Sequence, residues 1–180
     1  MRSDAQAIRE AREDAFQALM LQYEPALRRL ANSYEAEHAA REDLFQEIAL
    51  GLWEALPGFR GESSQRTWMY RIAHNIAISA LVSRRRRAQR ELSMTESMDA
   101  PAAADPPDRA ILLEQKRKIL LASIHELPAT DRQIVVLHLE GLSYEEIEEV
   151  SGLSQNAIAT RLSRIRDRLT QAVQKKEVRK

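Results

Sequence analysis

The chain has 180 residues, of which 44% are hydrophobic, and it contains no cysteine. This length suits one ordinary domain or two small ones, and the lack of cysteine excludes disulfides and thiolate metal sites. The four histidines lie far apart in the sequence, which argues against a zinc or redox centre and gives no reason to expect a cofactor. No apolar run approaches the roughly 18 residues of a membrane span, so we expect a cytoplasmic protein without membrane insertion of its own.

The formal net charge is zero, yet the charges are segregated along the chain. Residues 1–59 carry a net charge of −5, and residues 60–90 carry +7. Residues 91–160 then carry −8, and residues 161–180 carry +6. Basic clusters are typical of phosphate binding, although solvated helix surfaces can give the same pattern. The two basic blocks therefore indicate two candidate DNA contacts.

The pattern of apolar residues predicts an all-α protein with two small helical domains. Residues 14–87, after an N-terminal extension of residues 1–13, repeat apolar side chains at helical spacing, with breaks near Tyr34 and at Pro57-Gly58. Residues 88–108 are rich in Ser, Met, Ala, Asp and Pro without apolar periodicity, which predicts a flexible linker. Helical patterning resumes over residues 109–173, and a basic tail, residues 174–180, follows.

The first basic block combines a polar loop with a helix that carries aromatic residues and arginines. Such interleaving suits single-stranded or opened DNA. Trp68, Arg71 and Asn75 fall within an arc of about 60° on the helix, so a base flipped from its stack could meet a cation and an amide. Core packing remains the commoner role for a lone tryptophan such as Trp68. Nothing near His74 in the sequence resembles a nucleophile or an orienting acid, so catalysis is not predicted there.

Residues 141–169 have the pattern of a helix-turn-helix, the second basic block beginning in its second helix. Ser143 and Glu146 have the spacing of a capping box, Gly152 supplies the backbone freedom of the turn, and Ser154 is placed to cap the second helix. One stripe of that helix is apolar and predicts a core contact: Ile158, Leu162, Ile165 and Leu169. Polar residues point the opposite way and can reach base edges in a major groove: Asn156, Thr160, Ser163 and Arg164.

Several motifs together resemble bacterial extracytoplasmic-function (group IV) sigma factors of the sigma-70 family. Three segments resemble the second conserved region of that family: residues 43–53 with the sequence DLFQE at their start, residues 56–63, and residues 66–75. Residues 127–169 resemble the fourth region. The resemblance covers residues 14–87 and 109–173 in the family's order. It implies a subunit without enzymatic activity that binds core RNA polymerase and directs it to promoter DNA, with an anti-sigma factor as a further partner.

The resemblance also implies which residues make each contact. Core polymerase binding falls on Asp43, Leu44, Gln46, Glu47 and Leu50. Recognition of the −10 element falls on Glu62, Ser63, Ser64, Gln65, Arg66, Thr67, Trp68, Arg71, Asn75, Arg84 and Arg85. Recognition of the −35 element falls on Ser154, Gln155, Asn156, Thr160, Arg161, Ser163, Arg164 and Arg168. Gln155 and Asn156 depart from many members of the family, so the −35 sequence cannot be carried over from a relative.

Two other functions are compatible with parts of the sequence. A stand-alone helix-turn-helix regulator would bind duplex DNA tightly without polymerase, but it leaves the aromatic and basic block at residues 59–75 unexplained. An enzyme acting on nucleic acid would use Glu62 or His74 as a catalytic group. It would also need a metal or nucleophile cluster, and the sequence contains no such cluster.

Overall fold

The computed structural model describes residues 2–91 and 109–177, and every regular element in those two ranges is a helix. The first range contains α1 (Arg2–Tyr34), α2 (His38–Ala55), a 3-10 turn (Leu56–Gly58) and α3 (Gln65–Glu91). The second range contains α4 (Arg109–His125), α5 (Ala129–Leu139), α6 (Tyr144–Ser151) and α7 (Gln155–Glu177). The predicted all-α fold with two small helical domains is confirmed.

The helices extend further than the sequence patterns indicated. Helix α1 begins at Arg2, so most of the predicted N-terminal extension continues the first helix. Helix α3 runs to Glu91 because arginine, alanine and glutamine are good helix formers and no breaker follows residue 87. The first four residues of the predicted linker are therefore helical, whereas residues 92–108 and the last three residues of the basic tail lie outside the described residues.

The N-terminal domain is a three-helix unit built around one apolar core. Side chains spaced by three or four residues on each helix meet there, among them Leu27, Ile48 and Met69, which are fully buried. Helices α2 and α3 approach closely at Gly51, where an added Cβ would lie 2.4 Å from Cδ1 of Ile76. A larger residue at this position would require the end of the Ile76 side chain to move.

A buried polar pair lies inside this core. The hydroxyl of Tyr34 and Nδ1 of His74 are 3.0 Å apart and share a hydrogen bond. His74 has no exposed surface, and burial lowers the pKa of its imidazole to about 3. The ring is neutral and closed off from solvent, so it serves the core rather than acid–base catalysis.

The helix-turn-helix forms as its sequence indicated. The Ser143 hydroxyl accepts the backbone N–H of Glu146 at 3.1 Å, and the Glu146 carboxylate accepts the backbone N–H of Ser143 at 2.7 Å. Gly152 has a φ of 72°, in the left-handed region, and ends α6. The predicted stripe of α7 is buried: Ile158, Leu162, Ile165 and Leu169. Both the capping box and the apolar stripe are confirmed.

We expect Ser143→Ala to lower the free energy of unfolding by about 1 kcal/mol, since it removes one half of the capping box. Ser163→Ala is the matched control because Ser163 is exposed in the middle of α7. Urea denaturation followed by circular dichroism measures both variants. Equal stability of the two would show that the cap contributes nothing.

The pKa of His74 predicts a pH-dependent stability. The folded pKa is about 3, below the unfolded value near 6.5, so below pH 6.5 the unfolded chain binds a proton that the folded chain does not. Stability is therefore full above pH 6.5 and falls as the pH drops, by up to about 1.4 kcal/mol per pH unit for this one group. Urea denaturation at pH 5, 6 and 7 should give a shallower slope for His74→Asn than for the wild type. A slope unchanged by the substitution would contradict this assignment.

Candidate nucleic-acid interface

The loop before α3 is shaped by its own hydroxyl groups. The Ser64 hydroxyl accepts the backbone N–H of Thr67 at 3.0 Å and lies 2.8 Å from the Thr67 hydroxyl. Thr67 is almost fully buried. Ser64, one of the predicted DNA contacts, therefore caps the helix, and Thr67, another of them, does not lie on the surface.

A cavity of about 300 Å³ opens between this loop and α3. Its lining consists of Gly58, Phe59, Arg60, Glu62, Ser63, Trp68 and Arg71. Trp68 is buried and packs against Phe59 with the ring centroids 5.0 Å apart, so it forms a wall rather than an exposed platform. Glu62 and Arg71 are exposed at the same cavity. An aromatic wall beside an acid and a cation can receive one unstacked base.

Asn75 does not share that cavity with Trp68 and Arg71. It lines a second cavity, of about 560 Å³, together with Arg84 on α3 and with Asp43 and Glu47 on α2. The predicted cluster is thus divided, with Arg71 at the first cavity and Asn75 at the second. As a result, residues expected to contact DNA and residues expected to contact polymerase meet at the second one.

Arg84 is paired within the N-terminal domain, although its side chain is 43% exposed. It forms a salt bridge with Glu35, whose carboxylate is almost fully buried. Burial raises the pKa of Glu35, and the charge of Arg84 opposes that rise. The side chain of Arg85 lies outside the part of the chain that the structure describes.

The predicted polymerase-binding face lies on the outer side of α2. Four of its residues are exposed: Asp43, Gln46, Glu47 and Leu50, the last of which is 58% exposed. Leu44 is instead 1% exposed, because it shares the inward stripe of α2 with Ile48 and Leu52. Leu44 therefore packs in the core and does not lie on the surface expected to contact polymerase.

Helix α7 presents most of its predicted DNA-binding residues to solvent. Those exposed are Ser154, Gln155, Asn156, Thr160, Ser163, Arg164 and Arg168. The Gln155 amide donates to Glu148 on α6 at 3.0 Å, which orients it at the start of the helix. Arg161 is half-buried and donates to Asp131 on α5 at 2.6 Å. Arg161 therefore ties α7 to α5.

The two domains are joined by a polar contact centred on Glu140, which follows α5. Its carboxylate accepts two hydrogen bonds from Arg29, at 2.6 and 2.7 Å, and one from the Tyr70 hydroxyl at 3.2 Å. Arg66 donates to the backbone carbonyls of Glu140 and Gly141. The Arg66 side chain, predicted to contact the −10 element, thus faces the C-terminal domain. Sequence reasoning missed this contact because its members lie 70 to 111 residues apart.

A second contact between the domains lies at the turn between α4 and α5. Arg132, which is 2% exposed, donates to the backbone carbonyls of Tyr34, His125 and Leu127. Nε2 of His125 donates to the carbonyl of Asn32 at 2.9 Å, and burial lowers the pKa of this histidine. These bonds link the end of α1 to the end of α4.

Across residues 2–91 and 109–177, no group of three or more potential ligand side chains could hold a metal ion. The same ranges contain no helix that is both long and apolar enough to cross a membrane.

Comparisons with known proteins place both halves of the chain in one family. The Sigma-70 region 2 family matches residues 19–87, and the Sigma-70, region 4 family matches residues 117–169. The ECF RNA polymerase sigma-E factor of Escherichia coli K12 is 31% identical over 174 residues, covering 93% of this chain and 91% of the relative. The RNA polymerase sigma-H factor of Pseudomonas aeruginosa is 31% identical over 167 residues, covering 89% and 86%.

Solved structures agree with these relatives. The sigma factor RpoE of Bartonella quintana, in complex with the anti-sigma factor NepR, is 27% identical with a TM-score of 0.68, covering 89% of this chain and 97% of that one. CnrH, in complex with the cytosolic domain of CnrY, is 23% identical with a TM-score of 0.64, covering 90% and 89%, and supports the fold. The chain therefore belongs to the extracytoplasmic-function sigma factors of the sigma-70 family and is an alternative sigma factor of RNA polymerase.

Proposed function

We propose that this sigma factor docks on core polymerase through α2, reads the −10 element with α3 and its loop, and reads the −35 element with α7. It works in the cytoplasm and has no catalytic activity of its own. The observation that carries the proposal is the division of α7 into a buried apolar stripe and an exposed polar face. That division leaves one helix face available to enter a major groove.

The docking face on α2 combines charge with one exposed apolar side chain. Asp43 and Glu47 are one helical turn apart, and Gln46 and Leu50 are likewise one turn apart. Carboxylates beside a leucine fit a partner helix that is both charged and amphipathic. Leu44 contributes by packing α2 onto the core, which holds this face in position.

Reading of opened DNA is assigned to the cavity beside Trp68. A flipped base would lie along the aromatic wall formed with Phe59, and Glu62 and Arg71 would contact its edge or its phosphate. Ser64 and Thr67 act indirectly by fixing the loop. Gln65 and Ser63 are partly exposed at the same end of α3.

Reading of duplex DNA is assigned to the exposed side chains of α7. Asn156 lies near the start of the helix and can pair with adenine or with the backbone, and Arg164 and Arg168 can contact guanine or phosphate. Arg161 is removed from the group of base readers because Asp131 already holds its guanidinium. Its role is to position the helix.

We further propose an anti-sigma factor as a regulatory partner of this chain. The supporting observation is that the similar Bartonella structure is a complex with an anti-sigma factor. The stand-alone regulator is not favoured, because both domains match the same sigma family in order.

The first experiment mixes the purified chain with bacterial core polymerase and fragmented genomic DNA, then sequences the transcripts made only when the chain is present. We expect start sites that share two spaced upstream motifs. No polymerase binding and no new start sites, with active core enzyme, would instead support the stand-alone regulator.

We expect Arg164→Ala to weaken recognition of the −35 motifs found in this way by about 1 to 3 kcal/mol, because a charged contact in the groove is lost. Arg166→Ala is the matched control, since Arg166 lines an apolar groove between α7, α4 and α5 and faces away from the proposed reading face. Transcription titrations on wild-type and mutated promoters measure both. Equal losses would mean that total charge, and not the exposed face of α7, governs recognition.

A further inference from the structure

We infer that Arg29, Arg66 and Tyr70 form a binding site for a backbone phosphate of opened DNA, and that Glu140 occupies this site while the domains are in contact. We call these three residues the phosphate cluster. The inference rests on the proposed assignment of Arg66 to the −10 element. It adds Arg29 and Tyr70, which neither the sequence motifs nor the family resemblance assigned to DNA.

The Glu140 carboxylate is bound as a phosphate would be. Arg29 donates from Nε and Nη2 to the two carboxylate oxygens, at 2.7 and 2.6 Å, in the paired geometry that guanidinium also uses with phosphate. The Tyr70 hydroxyl donates to one of the same oxygens at 3.2 Å. Three donors from two helices therefore converge on one anion.

Arg66 completes the cluster from the other side. Its guanidinium carbon lies 6.0 Å from the centroid of the Tyr70 ring, and it donates to the carbonyls of Glu140 and Gly141 just beyond α5. The C-terminal end of a helix is partially negative, so these carbonyls attract a cation. Both arginines of the cluster are thus bound to acceptors supplied by the C-terminal domain.

The contact is exposed enough to exchange. The Arg29 side chain is 58% exposed and that of Arg66 is 33% exposed, whereas that of Glu140 is only 10% exposed. Solvent reaches the arginine side of this ion pair, so an incoming phosphate has access to both guanidinium groups once Glu140 withdraws. When the domains separate, both guanidinium groups and the tyrosine hydroxyl lose these acceptors together.

Promoter binding requires that separation. The −10 and −35 elements are named for positions that differ by 25 base pairs, which is roughly 85 Å at 3.4 Å per base pair. A compact chain of this length is only about 40 Å across. With α3 packed against α6, the two reading helices cannot reach both elements. Contact between the two domains and binding of promoter DNA therefore compete for the phosphate cluster.

The test measures binding of the full chain to a fluorescein-labelled dT20 oligonucleotide, because a phosphate contact does not depend on base sequence. We expect Glu140→Gln to tighten binding roughly fivefold to tenfold, since it removes the carboxylate charge that occupies Arg29 and Tyr70, while Arg66 keeps its backbone acceptors. Glu149→Gln is the control: it removes the same charge from an exposed site on α6. Arg29→Gln added to Glu140→Gln should reverse the gain.

Domain separation is measured in the same variants. The chain has no cysteine, so spin labels will attach only to cysteines that are introduced by substitution. Suitable positions are the exposed Gln17 of α1 and the exposed Thr170 of α7. Double electron–electron resonance should show a longer distance between the two labels in Glu140→Gln than in the otherwise unchanged chain. The otherwise unchanged chain with excess dT20 should also show a longer distance than it does alone. Longer distances without tighter binding would overturn the phosphate site, and unchanged distances would overturn its blockage by Glu140.

Transcription with core polymerase separates the failure of this inference from that of the proposed function. If Glu140→Gln directs transcription from the same promoters but binds dT20 no better than Glu149→Gln, the phosphate site is contradicted and the sigma mechanism stands. If Arg66→Gln leaves transcription and dT20 binding unchanged, the assignment of Arg66 to DNA is itself wrong.

Discussion

One buried guanidinium lies where the ends of α1 and α4 meet, and it constrains both helix ends. Arg132 is almost fully enclosed, and an enclosed charge is costly unless it is hydrogen-bonded. Its acceptors include carbonyls of Tyr34 and His125, the last residues of α1 and α4. The ends of two helix dipoles therefore converge on a single cation, which also lies over the ring of Tyr34, 5.4 Å from its centroid. Loss of this side chain would leave both helix ends without their partner.

Some charges from different blocks of the sequence are paired in the fold. The basic block at residues 60–90 meets the acidic block at residues 91–160 where Arg66 and Tyr70 face Glu140. Arg84 finds Glu35 in the acidic N-terminal block, and Arg161 finds Asp131 in the acidic block before it. The surfaces proposed for DNA are those parts of the basic blocks that retain exposed cations.

Local patterns predicted local structure well, because helix caps and apolar stripes depend on residues within one or two turns. The capping box of Ser143, the left-handed Gly152 and the buried stripe of α7 all follow from such spacing. Leu44 and Ile48 are four residues apart on α2, and this spacing also predicts that both side chains face the core. The structure agrees with this spacing and not with the resemblance that placed Leu44 on a docking face. The Arg161 salt bridge and the Glu140 contact were not readable, since their partners lie 30 to 111 residues away and only tertiary packing brings them together.

The close approach at Gly51 lies between the two helices to which the proposed function gives different partners. With no side chain at this position, the end of the Ile76 side chain on α3 lies directly against α2. In the proposed function one of these helices is held by the polymerase and the other meets the opened strand. The packing at Gly51 therefore helps to set how far apart the polymerase and the opened strand are held.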